Sequence, residues 1–252
     1  MKTSTMDKKN KPYGIIFWIL IWQALSLMIG QEILLASPVS VTQKIVENLP
    51  NPLFWKAISF SLSRIITGFI LGTGAGILLA IGSHKSKYLR EVIRPLVSVI
   101  KSTPVASFII LMLIWIPSKN LSIVISMLMV LPVIYSSVLA GIENTDPKLL
   151  EMAQVFAMAK TKKLRFIYTP EVFPYFRSAC SVALGLAWKS GIAAEVIGIP
   201  KGSIGEGLYE AKIYLATDEL FAWTIVTIGL SVFLERAVLR LLDKINQWNM
   251  EG

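Results

Sequence analysis

The side chains that ordinarily do chemistry are scarce and scattered in this sequence. It holds one histidine, His84, and one cysteine, Cys180, so neither a histidine cluster for a metal nor a disulfide framework can be assembled. No pair of carboxylates and no Ser/His/Asp arrangement suggests acid–base or nucleophilic catalysis. Gly202-Ser-Ile-Gly205-Glu-Gly207 carries glycines but lacks the lysine and the strand–helix context of a nucleotide site, and the chain has no Gly-Lys dipeptide. No catalytic residue, metal or cofactor is therefore expected. Any energy input must come from a partner.

What remains is a set of charges set within apolar runs: Arg64, Lys101, Lys189 and Glu195. A charge at a bilayer centre costs at least about 2.5 kcal/mol on insertion scales, so such residues face a cavity or a partner. Lys189 is the first candidate for attracting an anionic solute along a pathway, and Arg64 the second. For Arg64 and Lys101 the plainer reading is snorkelling toward head groups. Glu195 lies six residues after Lys189, roughly 240° around a helix, so the two do not pair within it. Glu195 reads instead as a cap or structural partner near the outer surface.

The elements that must position these residues are membrane spans. In 252 residues the apolar fraction is 54% and only 16% are charged, where soluble domains carry about a quarter. The mean hydropathy is +0.62. The apolar residues fall in blocks long enough for the roughly 20 residues of a crossing helix. A polar tail (1–12) precedes a first span over 13–35, read as uncleaved because the run exceeds a signal core. A connector (36–56) follows, with a short interfacial helix over 41–49. The remaining five-helix core, 57–245, has spans at about 57–83, 96–116, 121–142, 172–199 and 220–242, and a tail over 246–252. Gly68, Gly72 and Gly76, four apart, let the second span approach a neighbour closely, within one subunit or across a dimer. Pro104 and Pro132 inside spans call for a packed bundle that satisfies the freed backbone groups.

The lysines and arginines set the orientation. With the N-terminus inside, sixteen of the 25 fall on inner segments and five on outer ones. The net charge of +9 thus reports orientation in a membrane rather than nucleic acid binding. Both ends are expected in the cytoplasm, with the segment 143–171 between them. That segment is polar and helical: Asp146-Pro147 is a helix start, and Leu149, Leu150, Ala153 and Phe156 recur at helical spacing. Lys160, Lys162, Lys163 and Arg165 follow. A polar amphipathic hairpin between two spans should dock on something.

These residues resemble a known family, the permeases of binding-protein-dependent ABC importers. Their cytoplasmic loop reads Glu-Ala-Ala, three residues, Gly, nine residues, then Ile-x-Leu-Pro. Glu151-Met152-Ala153 occupies the first part, Ala157 stands where the glycine belongs, and Ile167-Tyr168-Thr169-Pro170 closes at the same spacing. Met152, Ala157 and Thr169 depart from the pattern. Alanine pays a steric penalty at a positive-φ position that glycine does not. Ala36-Ser-Pro38, Ser61-Leu-Ser-Arg64, Asp146-Pro-Lys-Leu-Leu-Glu151, Gly185-Leu-Ala-Trp188 with Ala194-Glu195, and Ala216-Thr-Asp218-Glu-Leu-Phe-Ala222 narrow the likeness to the nitrate, sulfonate and taurine type, over about 33–245.

The resemblance implies an all-α polytopic membrane protein with six transmembrane helices in the type I importer permease fold. It implies a homodimer in the bacterial plasma membrane, bound to a cytoplasmic ABC ATPase dimer and served by an extracytoplasmic solute-binding protein. Glu151, Ala153, Phe156, Ala157, Ile167 and Pro170 would form the ATPase-coupling segment, seated in a groove on that partner. The alternatives are the membrane component of another transport system, a vitamin-uptake coupling subunit or an exporter, and a membrane-embedded enzyme. For the last, no catalytic cluster is visible.

Overall fold

The computed structural model describes residues 11–251, and every regular element among them is helical. The polar tail expected over 1–12 falls largely outside the described residues. α1 (Lys11–Ile29) leads through a short loop to α2 (Pro38–Asn48), the surface helix expected around 41–49. Ser37 caps α2, its Oγ accepting from the Ser40 amide, and Pro38 occupies the first turn. Trp22 Nε1 donates to Ala36 O at 3.0 Å, Ser26 Oγ to Leu35 O at 3.0 Å, and the Trp22 and Phe221 rings lie 5.4 Å apart. These contacts fasten α1 and α2 to the last helix. Most of α1's other large apolar side chains are exposed, and its apolar stretch, Tyr13–Ile29, is shorter than the helices long enough to cross a membrane.

α3 (Pro52–Lys85), α6 (Ser118–Glu143) and α9 (Thr169–Gly198) form the centre of the molecule. α3, α6 and the α9 helix with its preceding turns are long and apolar enough to cross a membrane. α3 meets α6 along the glycine ladder: a Cβ on Gly68 would stand 2.4 Å from Ile123 O, one on Gly72 2.7 Å from Met127 O, and one on Gly76 3.0 Å from Leu131 O. The spacing of four therefore serves packing inside one subunit. Polar bonds cross the apolar interior between helices. Ser126 Oγ donates to Ala187 O at 3.0 Å, Tyr135 Oη to Ser83 Oγ at 3.2 Å, and Trp188 Nε1 to Thr227 O at 3.0 Å. In an apolar medium such bonds and close van der Waals contact hold helices together, since burial from water contributes nothing there.

The third span, expected over 96–116 with Pro104 breaking its early part, is not one helix. It is split into α4 (Lys87–Ser102) and α5 (Val105–Met112), whose axes turn by 104° at the break. Pro104 is the cause: it holds Thr103 in an extended conformation and supplies no amide to continue the ladder. Pro132, by contrast, stays inside α6, where it is buried among its neighbours. α6 is followed by α7 (Pro147–Val155), α8 (Lys160–Lys163) and a π turn over Leu164–Tyr168 that runs into α9. α10 (Ile204–Ile213) fills the glycine-rich segment. α11 (Thr217–Glu251) is 35 residues long, so positions 246–251, read as a tail, continue that helix.

Candidate functional site

Two regions hold the residues singled out by sequence, at opposite ends of the helical core. The first is the segment between α6 and α9. α7 starts as the sequence dictates: the Asp146 carboxylate accepts from the Lys148 amide at 2.9 Å, with Pro147 in the first turn. Its end is a Schellman turn. Met158 N–H donates to Ala153 O at 2.9 Å and Ala157 N–H to Gln154 O at 3.0 Å, with Ala157 at φ +43°. The position where the family pattern has glycine thus adopts the left-handed conformation that glycine favours, and alanine bears the strain. Ala159 follows in an extended conformation, and the chain enters the short α8.

The predicted stripe does not lie on one face. Ala153 is 3% exposed and Leu149 and Leu150 are half-buried, so these pack on the protein itself. Val155 and Phe156, at 81% and 75% exposure, point the other way, joined by a partly exposed Met152. Glu151 is exposed beside them. Ile167 is 3% exposed and Pro170 is half-buried, so these anchor the end of the hairpin rather than its outer surface. Of the six positions named, Glu151, Phe156 and Ala157 are presented outward and Ala153, Ile167 and Pro170 inward.

The second region surrounds the junction of α9 with α10. Glu195 is fully buried; its Oε2 accepts from Ser61 Oγ at 2.5 Å, and Ser61 Oγ accepts from the Ile204 amide at 3.0 Å. A Cβ on Gly205 would meet Glu195 Cβ at 2.3 Å, so glycine is what allows α10 to seat here. Ser122 Oγ and the Gly205 backbone also face this carboxylate, although Ser122 Oγ and Glu195 Oε1 make no hydrogen bond of good geometry. Arg64 is half-buried on the same helix as Ser61, donating from Nη1 to Asn120 Oδ1 at 3.1 Å and lying 4.2 Å over the Phe60 ring. Lys189 is on the exposed face of α9 with Val182, Leu186 and Ile197 and has no ion-pair partner among the described residues. Lys189 and Glu195 accordingly lie on different faces of α9, one exposed and the other buried. Lys101, placed near a head group by sequence, donates to Ser136 Oγ at 2.8 Å.

Sequence reasoning did not find the ion pairs. Arg90 and Glu143 form a two-pronged pair between α4 and α6, with one N···O distance of 2.5 Å and another of 3.2 Å. Arg177 and Asp243 do the same between α9 and α11, at 2.5 and 2.9 Å. Their partners stand 53 and 66 residues apart, beyond any local pattern. Among the described residues no group of three or more His, Cys, Asp or Glu could hold a metal.

Comparison with known proteins agrees with this architecture. The bacterial ABC transporter involved in the import of the acidic polysaccharide alginate superposes with a TM-score of 0.64 over 95% of this chain and 96% of that chain. An amino acid ABC transporter gives 0.57 over 78% and 94%. At 18% and 20% identity these establish a shared fold. In sequence, the taurine transport system permease protein TauC of Escherichia coli is 24% identical over 91% of this chain and 86% of its own length. The nitrate import permease protein NrtB of Synechococcus elongatus is 26% identical over 94% and 87%, and the putative aliphatic sulfonates permease SsuC of Bacillus subtilis 24% over 91% and 84%. Residues 72–247 match the family described as binding-protein-dependent transport system inner membrane component. The chain, a multi-pass helical membrane protein, belongs to that family of ABC importer permeases.

Proposed function

We propose that this chain is the transmembrane permease subunit of an ATP-driven importer for a small anionic solute of the nitrate, sulfonate or taurine kind. The names of the similar permeases support the solute class, since taurine, aliphatic sulfonates and nitrate all present compact oxyanions. The chain crosses the bacterial plasma membrane six times: α1, α3, the bent pair α4–α5, α6, α9 and α11. Both termini and the α7 hairpin are cytoplasmic, following the excess of Lys and Arg on those segments. The protein pairs with a second copy of itself and with a dimer of cytoplasmic ABC ATPases, and an extracytoplasmic solute-binding protein delivers the solute.

The observation that carries this reading is the outward face of α7, where Met152, Val155 and Phe156 are exposed between two spans. Three adjacent apolar side chains at a helix end, with Glu151 beside them, suit a groove on a partner. Ala153 on α7 and Ile167 in the π turn are both buried, and the chain runs from α7 through α8 and that turn directly into α9. A push on α7 then passes to the span, and the helices tilt between inward-open and outward-open states. Lys189, on the exposed face of α9, attracts the solute; Arg64, already held by Asn120 and Phe60, shapes the outer end of the route. Purification in mild detergent from the native membrane tests this reading. An ABC ATPase and a solute-binding protein should accompany the chain; isolation of the folded chain alone, in good yield, would overturn it.

A further inference from the structure

A cavity of about 350 Å³ opens between α4 and α6, near the end of the core that carries α7. Arg90 and Arg94, one turn apart on α4, form one wall; Tyr135, Ser136 and Glu143 on α6 face them over a floor of Leu139 and Ala140. Its walls are held in place. Glu143 grips Arg90 with both oxygens, and Tyr135 Oη is tied to Ser83. Lys101 donates to Ser136 Oγ, which in turn donates to Pro132 O at 2.7 Å. Among the lining side chains, Arg90 and Arg94 against Glu143 leave one positive charge in excess, and Lys101 reaches Ser136 from outside the lining. Among the described residues Arg94 has neither a carboxylate within ion-pair distance nor a hydrogen-bond acceptor.

We propose that this cavity binds a single oxyanion group of phosphate or sulfonate type, with the Arg94 guanidinium as its principal ligand. A guanidinium presents a planar fork of donors that matches two oxygens of such a group. The volume lies at the small end of ligand cavities, which run from roughly 300 to 1,000 Å³. It admits one head group and a few carbons over the Leu139–Ala140 floor. Lys101, outside the lining but bonded to Ser136, adds positive charge nearby. The group arrives either on an anionic phospholipid of the inner leaflet or as a free organic or inorganic anion from the cytoplasm. Lys189 and Arg64 take no part. The inference rests on the inward placement of the α7 end proposed above, but not on transport, because binding is read directly.

The test uses the full chain, purified with its ATPase where the two associate. One arm measures phosphatidylglycerol retained after detergent exchange, by native mass spectrometry. The other titrates inorganic phosphate and methanesulfonate at constant ionic strength. Arg94→Gln should weaken the responding arm by roughly tenfold, the loss of one charged hydrogen-bond pair. Lys87→Gln, also on α4 but outside the cavity, should leave it unchanged. Loss in the lipid arm identifies a head group, and loss in the titration a free anion. Where Arg94→Gln does not assemble, Arg94→Lys should bind severalfold more weakly because the fork is gone. Equal binding by wild type and Arg94 variants in both arms, or an equal loss in Lys87→Gln, overturns the proposal.

Discussion

Ser61 Oγ donates to Glu195 Oε2 at 2.5 Å across 134 residues of sequence, and the same oxygen accepts from the Ile204 amide at 3.0 Å. One hydroxyl thereby joins α3, α9 and the start of α10. The carboxylate it serves is fully buried at the end of a span, where an unpaired polar group is costly. Glu195 is thus a clamp on the turn between α9 and α10.

Removing the clamp should show in stability. Glu195→Ala leaves the Ser61 hydroxyl without its acceptor and opens a hole beside Gly205, costing about 2–4 kcal/mol. Glu195→Gln keeps an acceptor of nearly the same shape and should melt within a few degrees of wild type. Thermal unfolding in detergent, followed by tryptophan fluorescence, compares the two. Equal melting of the Ala variant and wild type would refute the clamp.

The glycine ladder makes a sharper steric prediction. Gly68→Ala places a Cβ 2.4 Å from the backbone oxygen of Ile123, which cannot rotate away. Separation of α3 from α6 should cost about 1–3 kcal/mol. Gly74→Ala, on the same helix with no atom within 4 Å of the new Cβ, should be neutral. Expression level and melting temperature of the two variants test the difference; a drop of equal size in both would indicate loss of helix-wide properties rather than of the contact.

Ala157 carries backbone strain that glycine would relieve. At φ +43° an L-residue pays roughly 1 kcal/mol relative to glycine, so Ala157→Gly should protect the α7 turn slightly. Ala157→Val, branched at Cβ, should break the Schellman turn and lower transport. Hydrogen exchange at the Ala157 and Met158 amides reads both directions, and faster exchange in the glycine variant would contradict the strain argument.

Glu151 is exposed on α7 and bonds to nothing that the fold requires. Glu151→Lys should therefore insert and fold normally, yet ATP hydrolysis by the partner should no longer drive uptake. Solute uptake and ATPase activity in proteoliposomes separate the two; wild-type uptake by the variant would remove Glu151 from the docking role.

The sequence by itself determined the helical class, the blocks of apolar residues and the start of α7, because these depend on composition, period and a local cap. The motif between Glu151 and Pro170 was legible for the same reason, and it carried the resemblance that the comparisons confirm at the level of the family. Tertiary structure alone decided the rest. It set the 104° angle at Pro104, since the break itself is legible in the sequence but its size depends on the neighbours, and Pro132 is absorbed within α6. It divided the α7 stripe into a buried Ala153 and an exposed Phe156, because the helix ends in a left-handed turn before the period is completed. And it brought Ser61 to Glu195 and Arg90 to Glu143, partners separated by so much chain that only the packing of α3, α4, α6 and α9 joins them.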